Sequence, residues 1–419
     1  MENYSCMYKG PKSSSTREKN YFVSFLHYFK ESLKYLILGL YILLNSSTAL
    51  FGQLSEQSRI SILTCSPGEE LYSLFGHSAI RVSDSVLGID YVFNYGTFDF
   101  NTPNFYLKFM RGELDYMLSV SHYDNFIYEY NLDGRGITEQ VLRLRYEERN
   151  KLFEALSENY RPANRAYKYH FFYDNCATRV RDIVVNNIGL TVEFPERETY
   201  SAMSFRDVIS VYLKNRPWTR LGLDLLLGQP TDEKLNATTV QFLPDFLMYQ
   251  FADARISEDG RHLVSSTSTL LDRRTVESKP GTFTPAFVLS LLAIMIIAHT
   301  WLSKKQGKST RPINVVLLSI CSMIGLLIIF LWFFTSHSVT GPNWNILWAH
   351  PLYLLLFIPT VSKNSTGKYL RLIFASLILI FALVSPFLSQ QIPVVLIPIW
   401  ILLIVKLMLF NTSHKGEQR

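Results

Sequence analysis

The sequence predicts an α+β domain on the outer side of a membrane, followed by a five-helix transmembrane region. Three observations carry this. Apolar residues collect at the two ends of the chain, β-type runs alternate with helical periodicity between them, and Lys and Arg fall in alternate connections of the C-terminal apolar segments. Aromatic residues make up 14% of the 419 positions, and the mean hydropathy of +0.10 is high for a soluble globule of this length.

Taken in order, Lys30 and Lys34 precede the apolar run 35–44, and the small and polar residues 45–49 follow it. Residues 1–52 therefore read as a secretory signal peptide or an uncleaved N-terminal anchor, preceded by a long polar extension. In the domain expected at 53–280, strands are predicted at 59–64, 78–82, 91–95 and 138–144, and helices at 104–112, 147–159 and from Cys176 onward. Residues 197–271 read as an appended helical portion, because Phe205, Val208, Ile209 and Tyr212 recur at helical spacing. The apolar run 221–227, with Phe242, Leu243, Phe246 and Leu247, either packs as core or faces lipid. In the domain expected at 281–419, spans are predicted at 284–302, 313–334, 344–361, 369–387 and 392–410. Lys304, Lys305, Lys308 and Arg311 fill the first connection and Lys363, Lys368 and Arg371 the third, whereas the second and fourth contain no Lys or Arg. Positive connections mark the cytoplasmic side, so an odd number of spans puts residues 53–280 outside, as the signal sequence also does. The net charge of +6 is thus explained by topology, and no motif or basic-aromatic patch supports nucleic-acid binding. With no metal-ligand spacing, phosphate-cradling glycine loop or serine nucleophile elbow, no cofactor or metal is expected.

One arrangement between the two ends has chemical content. Asp174-Asn175-Cys176 opens a helix with Val180, Ile183, Val184 and Ile188 at helical spacing and Gly189 where a C-cap belongs. A sulfur at that start faces unsatisfied N–H groups and the positive end of the helix dipole, both of which favour thiolate. Gly76-His77 opens a β-type run in which His77 and Ala79 face one way and Ile80 and Val82 the other, so a tight turn delivers an imidazole to a strand start. His122, His170 and His262 have weaker local contexts. Pairing this run with 90–95 as a hairpin puts Asn94 or Tyr95 roughly opposite His77, and Asn94 is the expected orienting group. The pattern fits a thiol enzyme with Cys176 as nucleophile and His77 as base. Two alternatives stand beside it: Cys176 as a small core residue, or Cys65 and Cys176 joined as a disulfide. Further on, Trp344 and Trp348 suit an interfacial belt, and His350 is an ionisable residue at membrane depth. It either lines a substrate path or is satisfied locally where prolines break the helix.

The segments Gly76-His77-Ser78-Ala79-Ile80-Arg81-Val82 and Asp174-Asn175-Cys176-Ala177-Thr178-Arg179 resemble the permuted papain-like group, which includes NlpC-type and lecithin:retinol acyltransferase-like (LRAT-like) enzymes. Residues 62–75, 93–100 and Asp224-Leu225-Leu226-Leu227-Gly228 are similar to Lnb-type lipoprotein N-acyltransferases, and the resemblance covers nearly the whole chain after residue 52. It implies a periplasmic permuted papain-like domain on a multi-pass bacterial inner-membrane region. The implied reaction moves an acyl chain from a phospholipid, through a Cys176 thioester, to the α-amino group of the diacylglyceryl-cysteine of an apolipoprotein. The rivals are a cysteine peptidase or amidase of the cell envelope, a phospholipase, and a tethered binding module whose Cys65 and Cys176 are bridged.

Overall fold

The computed structural model describes residues 33–34, 52–274, 281–362 and 364–409. The predicted signal or anchor at 1–52 therefore lies almost entirely outside the described residues. The chain divides into two units, Met1–Gln53 and Leu54–Arg419, and everything below concerns the second.

Its N-terminal part is built on an antiparallel sheet of seven strands in the order β6-β4-β3-β2-β1-β5-β9. The strands are β1 (Arg59–Cys65), β2 (His77–Asp84), β3 (Ile89–Thr97), β4 (Asp115–His122), β5 (Ile137–Leu142), β6 (Ala166–Lys168) and β9 (Val264–Leu271). A two-stranded ribbon pairs β7 (Val192–Glu193) with β8 (Arg255–Ile256). The sheet is covered on both faces, and β1 is accordingly buried at every residue from Ile60 to Cys65, Ser61 and Thr64 included. Leu63, Cys65, Ala79 and Val92 pack with Phe126, Tyr123 and Tyr130 of the helix Tyr123–Leu132. Ile62, Ile80 and Gln140 are cross-strand partners on the other face, where Gln140 donates to the Met248 carbonyl of the helix Pro244–Asp253 at 3.0 Å.

Four predicted strands and three predicted helices are present within a residue or two of their expected ends. The portion 197–271 is helical up to Asp253 and then departs from expectation: β9 returns to the sheet and closes its edge on β5. Most of the apolar run near 242 is core, with Phe242, Leu243 and Leu247 buried. Leu221 instead joins the apolar cluster of the C-terminal region.

Three described helices, Pro285–Lys305, Arg311–Phe333 and Ser365–Phe387, are long and apolar enough to cross a membrane, and Val394–Met408 is a shorter apolar helix. The segment expected as a span at 344–361 takes another form, the 3-10 turns Trp344–Leu347 and Pro351–Phe357 and the single turn Pro359–Ser362. Pro351 and Pro359 remove amide donors, and side chains satisfy the backbone instead. The Trp344 N–H donates to Gln390 Oε1 at 2.8 Å, the Asn345 N–H to Asn343 Oδ1 at 3.0 Å, and the Tyr353 hydroxyl to the Trp348 carbonyl at 2.7 Å. Gly325 lets the helix Arg311–Phe333 close on this segment, since a Cβ there would sit 1.9 Å from the Ala349 carbonyl oxygen. Trp348 is buried in the cluster and does not serve in an interfacial belt.

A polar seam joins the two parts. The Gly228 and Gln229 N–H groups donate to the Val339 and Pro342 carbonyls at 2.8 Å each, and Asn343 Nδ2 donates to the Leu225 carbonyl at 2.9 Å. A side chain at Gly228 would meet the Pro342 carbonyl at 2.4 Å, so the motif 224–228 is a docking edge. Behind it, buried Arg206 donates to Asp232 (2.9 Å), to Asp224 (3.2 Å) and to the Leu227 and Gly228 carbonyls (3.0 and 3.1 Å). Burial pushes both carboxyls upward against the pull of this guanidinium. Arg206→Ala strips buried Asp232 of its cation and leaves Asp224 only the more distant Arg220 at 3.7 Å, and a destabilisation of about 3–5 kcal/mol is expected. Thermal unfolding of the detergent-purified chain checks it; an unchanged midpoint would show that the seam needs no buried cation.

Candidate active site

The site forms where the N-terminus of the helix Cys176–Asn187 meets the starts and ends of the central strands. Gly76 adopts φ +79°, and a Cβ there would lie 2.7 Å from the Cys65 carbonyl oxygen. Only glycine makes this turn, which sets His77 as the first residue of β2, directly opposite Cys65 on β1. On the other side Asn94 opposes Ala79, two residues along from His77 itself, and its Oδ1 lies 3.3 Å from His77 Nε2. A carboxamide oxygen only accepts, so Nε2 carries the hydrogen and Nδ1 keeps a free lone pair.

Asn175 is the N-cap. Its Oδ1 accepts from the Ala177 and Thr178 N–H groups at 2.8 and 3.0 Å, and its Nδ2 donates to the Phe171 and Phe242 carbonyls at 2.5 and 2.8 Å. Asp174 pairs instead with Arg179, whose guanidinium covers the Tyr167 ring at 4.0 Å. The helix start is thereby rigid, but two of the N–H groups expected to be unsatisfied there, those of Ala177 and Thr178, are already engaged by the cap. The Cys176 N–H is the helix-start donor beside the sulfur that the cap leaves open. The Ser78 N–H, next in chain to His77, reaches the sulfur from β2. A Cβ at Gly96 on β3 would stand 3.8 Å from Cys176 Cβ and 4.0 Å from the Tyr167 hydroxyl. Cys176, His77 and Asn94 are thus gathered at one end of β2 and β3. His350 is not part of this group: its Nδ1 accepts from the Leu352 N–H at 3.2 Å and its ring packs on Phe374 and Tyr353.

Burial decides the protonation states. It pushes the Cys176 thiol up, opposed by the N–H groups of Ser78, Ala177 and Cys176 itself and by Arg135. It pushes His77 down to about 4, opposed by the Asn94 hydrogen bond and helped by Arg135. The helix start therefore favours thiolate as expected, yet burial outweighs it, so the Cys176 thiol and the His77 imidazole both rest neutral. Cys65 is also a free thiol, so no bridge joins it to Cys176. It is fully enclosed, hydrogen-bonded to Tyr130 and pushed up to about 12 by burial, whereas Cys176 keeps part of its surface open. One consequence is measurable. Alkylation of Cys176 by iodoacetamide is expected to climb steadily between about pH 6 and pH 9, because thiolate appears only as pH approaches the raised thiol value. A plateau persisting below about pH 5 would reveal a preformed thiolate–imidazolium pair instead.

The sequence reading did not single out Arg135, Tyr167 or Tyr169, all beside the sulfur. Arg135 donates through Nε to the Ser66 carbonyl at 2.9 Å and leaves buried Nη2 without a partner, as is the buried Tyr167 hydroxyl. Position alone gives no signal for them; the glycine-flanked turn around Arg135 is the one local hint.

Two family models match this chain. Residues 53–195 match the Lnb N-terminal periplasmic domain and residues 277–416 match the Lnb transmembrane domain. The chain belongs to the Lnb family. No curated protein and no solved structure matches it. Membership makes this a membrane protein with a periplasmic domain and supports a lipoprotein N-acyltransferase-type role. In this Lnb chain the matched periplasmic portion holds Cys176, His77 and Asn94, and the polar seam fastens residues 225–229, which lie between the two matches, to the matched transmembrane portion.

Proposed function

We propose that this protein is a thiol acyltransferase that moves a phospholipid acyl chain onto the α-amino group of the lipidated N-terminal cysteine of an apolipoprotein. What supports the reading is that the Ser78 N–H, next in chain to His77, reaches the Cys176 sulfur, that His77 meets Asn94 at 3.3 Å, and that the domain is docked on membrane helices.

In the first half-reaction His77 Nδ1 takes the thiol proton as Sγ attacks the ester carbonyl carbon. The C–S bond forms, the ester C–O bond breaks, and the proton passes to the leaving alkoxide, releasing a lysophospholipid. The Cys176 N–H stabilises the oxyanion. In the second, the amine attacks the thioester, His77 accepts a proton from nitrogen, and the sulfur leaves with that proton. Asn94 holds the ring in the tautomer that leaves Nδ1 free. Neutral partners suit this route, since an amine acceptor must also be neutral to attack.

The test is to reconstitute the full chain in nanodiscs with acyl-labelled phospholipid and map the label. Hydroxylamine-labile acyl on Cys176, passing to the amine of an added diacylated lipopeptide, supports the proposal. Label released only as free fatty acid makes the protein a phospholipase, and an unlabelled Cys176 with cleavage of muropeptides makes it an envelope peptidase.

A further inference from the structure

The helix Phe105–Arg111 has no buried residue and presents Tyr106 (76% exposed), Leu107, Phe109 and Met110 beside exposed Phe100. Water is a poor medium for so contiguous an apolar surface. The helix is fixed to the end of a membrane helix. The Ser336 N–H donates to the Arg111 carbonyl at 2.8 Å and His337 Nε2 to the Met110 carbonyl at 3.1 Å. Gly112, at φ +66°, closes the helix where a Cβ would come within 3.0 Å of the His337 ring. Ser336 and His337 come just after the helix Arg311–Phe333, whose last residue, Phe333, and C-cap, Phe334, are themselves exposed. The apolar helix therefore sits level with the periplasmic end of a membrane-spanning helix.

From there an unbroken run of rings leads inward. Phe105 packs on Phe98 at 5.7 Å, Phe98 on Tyr116 at 5.3 Å, and Tyr116 stacks on Tyr169 at 4.4 Å. Tyr169 lies 3.8 Å from the point where a Gly96 Cβ would stand, the same distance as Cys176 Cβ.

We propose that Phe100 and the helix Phe105–Arg111 lie in the periplasmic-side lipid interface and deliver a phospholipid acyl chain along Phe98, Tyr116 and Tyr169 to Cys176. The occupant is a bilayer phospholipid, because the surface is hydrogen-bonded to residues emerging from a membrane helix and its ring path ends at Tyr169, which shares the space over Gly96 with Cys176. The ester carbonyl rides at the polar headgroup boundary, so a chain that slides along flat rings brings that carbonyl to a fixed depth. The delivery role rests on the acyl-donor reading above; the membrane contact does not.

Two measurements on the full chain separate them. In nanodiscs, an environment-sensitive fluorophore on Phe109→Cys, in a Cys176→Ser background, is expected to be quenched at least about twofold by phospholipids brominated high on the acyl chain. An unquenched label would overturn the membrane contact. Tyr106→Asp combined with Phe109→Asp is expected to slow acylation of Cys176 by nanodisc phospholipid at least about tenfold. Its iodoacetamide alkylation should stay within about twofold of wild type, reporting an intact thiol site. Undiminished acylation in that variant would overturn the delivery path. A quenched label on a wild-type chain that never acquires acyl from phospholipid would overturn the donor reading and delivery together, and leave the helix as a membrane contact.

Discussion

Cys176→Ala is expected to abolish N-terminal acylation of a reporter lipoprotein, with a loss of about 10⁴-fold or more, while Cys65→Ala keeps activity within a few-fold of wild type. The two sulfurs lie close together, yet their environments separate them. Cys65 is enclosed on β1, tied to Tyr130 and held protonated by burial up to about 12, so it has neither access nor charge with which to attack an ester. Cys176 is partly open, at a helix start where its own N–H and those of Ala177 and Ser78 all favour the thiolate. The magnitude follows from covalent catalysis: without the sulfur there is no thioester, and what remains is the binding and electrostatic part of the site. Mass spectrometry of the reporter's N-terminal peptide in cells depending on this chain decides the matter. An active Cys176→Ala variant would end the thiol mechanism, and an inactive but folded Cys65→Ala variant would point to a role for the enclosed sulfur.

The parts of this site that could be read in advance were those set by local chemistry. Gly76 is demanded by a positive φ and a close carbonyl, Asn175 by the cap of the next helix, and β1 to β3 by apolar runs bounded by turn residues. Asn94 was legible because hairpin pairing limits what can stand near His77. What escaped was decided by tertiary packing. β9 is mostly Ser and Thr and has no periodicity of its own; it becomes a strand because β5 offers it an edge. The segment 344–362 has the hydropathy of a span, but its prolines and the carboxamides of Asn343, Asn345 and Gln390 turn it into 3-10 pieces packed against Gly325 and Phe374. The protonation of Cys176 depends on burial that no local pattern contains, which is why a helix start that favours thiolate still holds a neutral thiol.

That neutral thiol makes the second expected result large. His77→Ala is expected to slow acyl transfer by about 10²–10⁴-fold, because a sulfur that does not ionise by itself must lose its proton as it attacks. Burial keeps the imidazole unprotonated down to about pH 4, so in the proposed role Nδ1 is free to accept a proton throughout the neutral range. Its contribution is present above that value and lost as pH falls through it. Asn94→Ala should cost less, up to about 100-fold, since the ring remains but its tautomer and tilt are no longer fixed by the 3.3 Å contact. A purely structural histidine would give a different signature, with loss of activity tracking loss of melting temperature and the pH dependence unchanged. For a true base, the His77→Ala variant melts close to wild type, and its residual rate climbs about tenfold per pH unit as thiolate forms without help. Added imidazole should restore part of the rate by entering the space the ring leaves. A His77→Ala enzyme with a wild-type pH profile and a loss below about tenfold would remove the imidazole from the chemistry and shift the burden of proton removal to the amine acceptor or water.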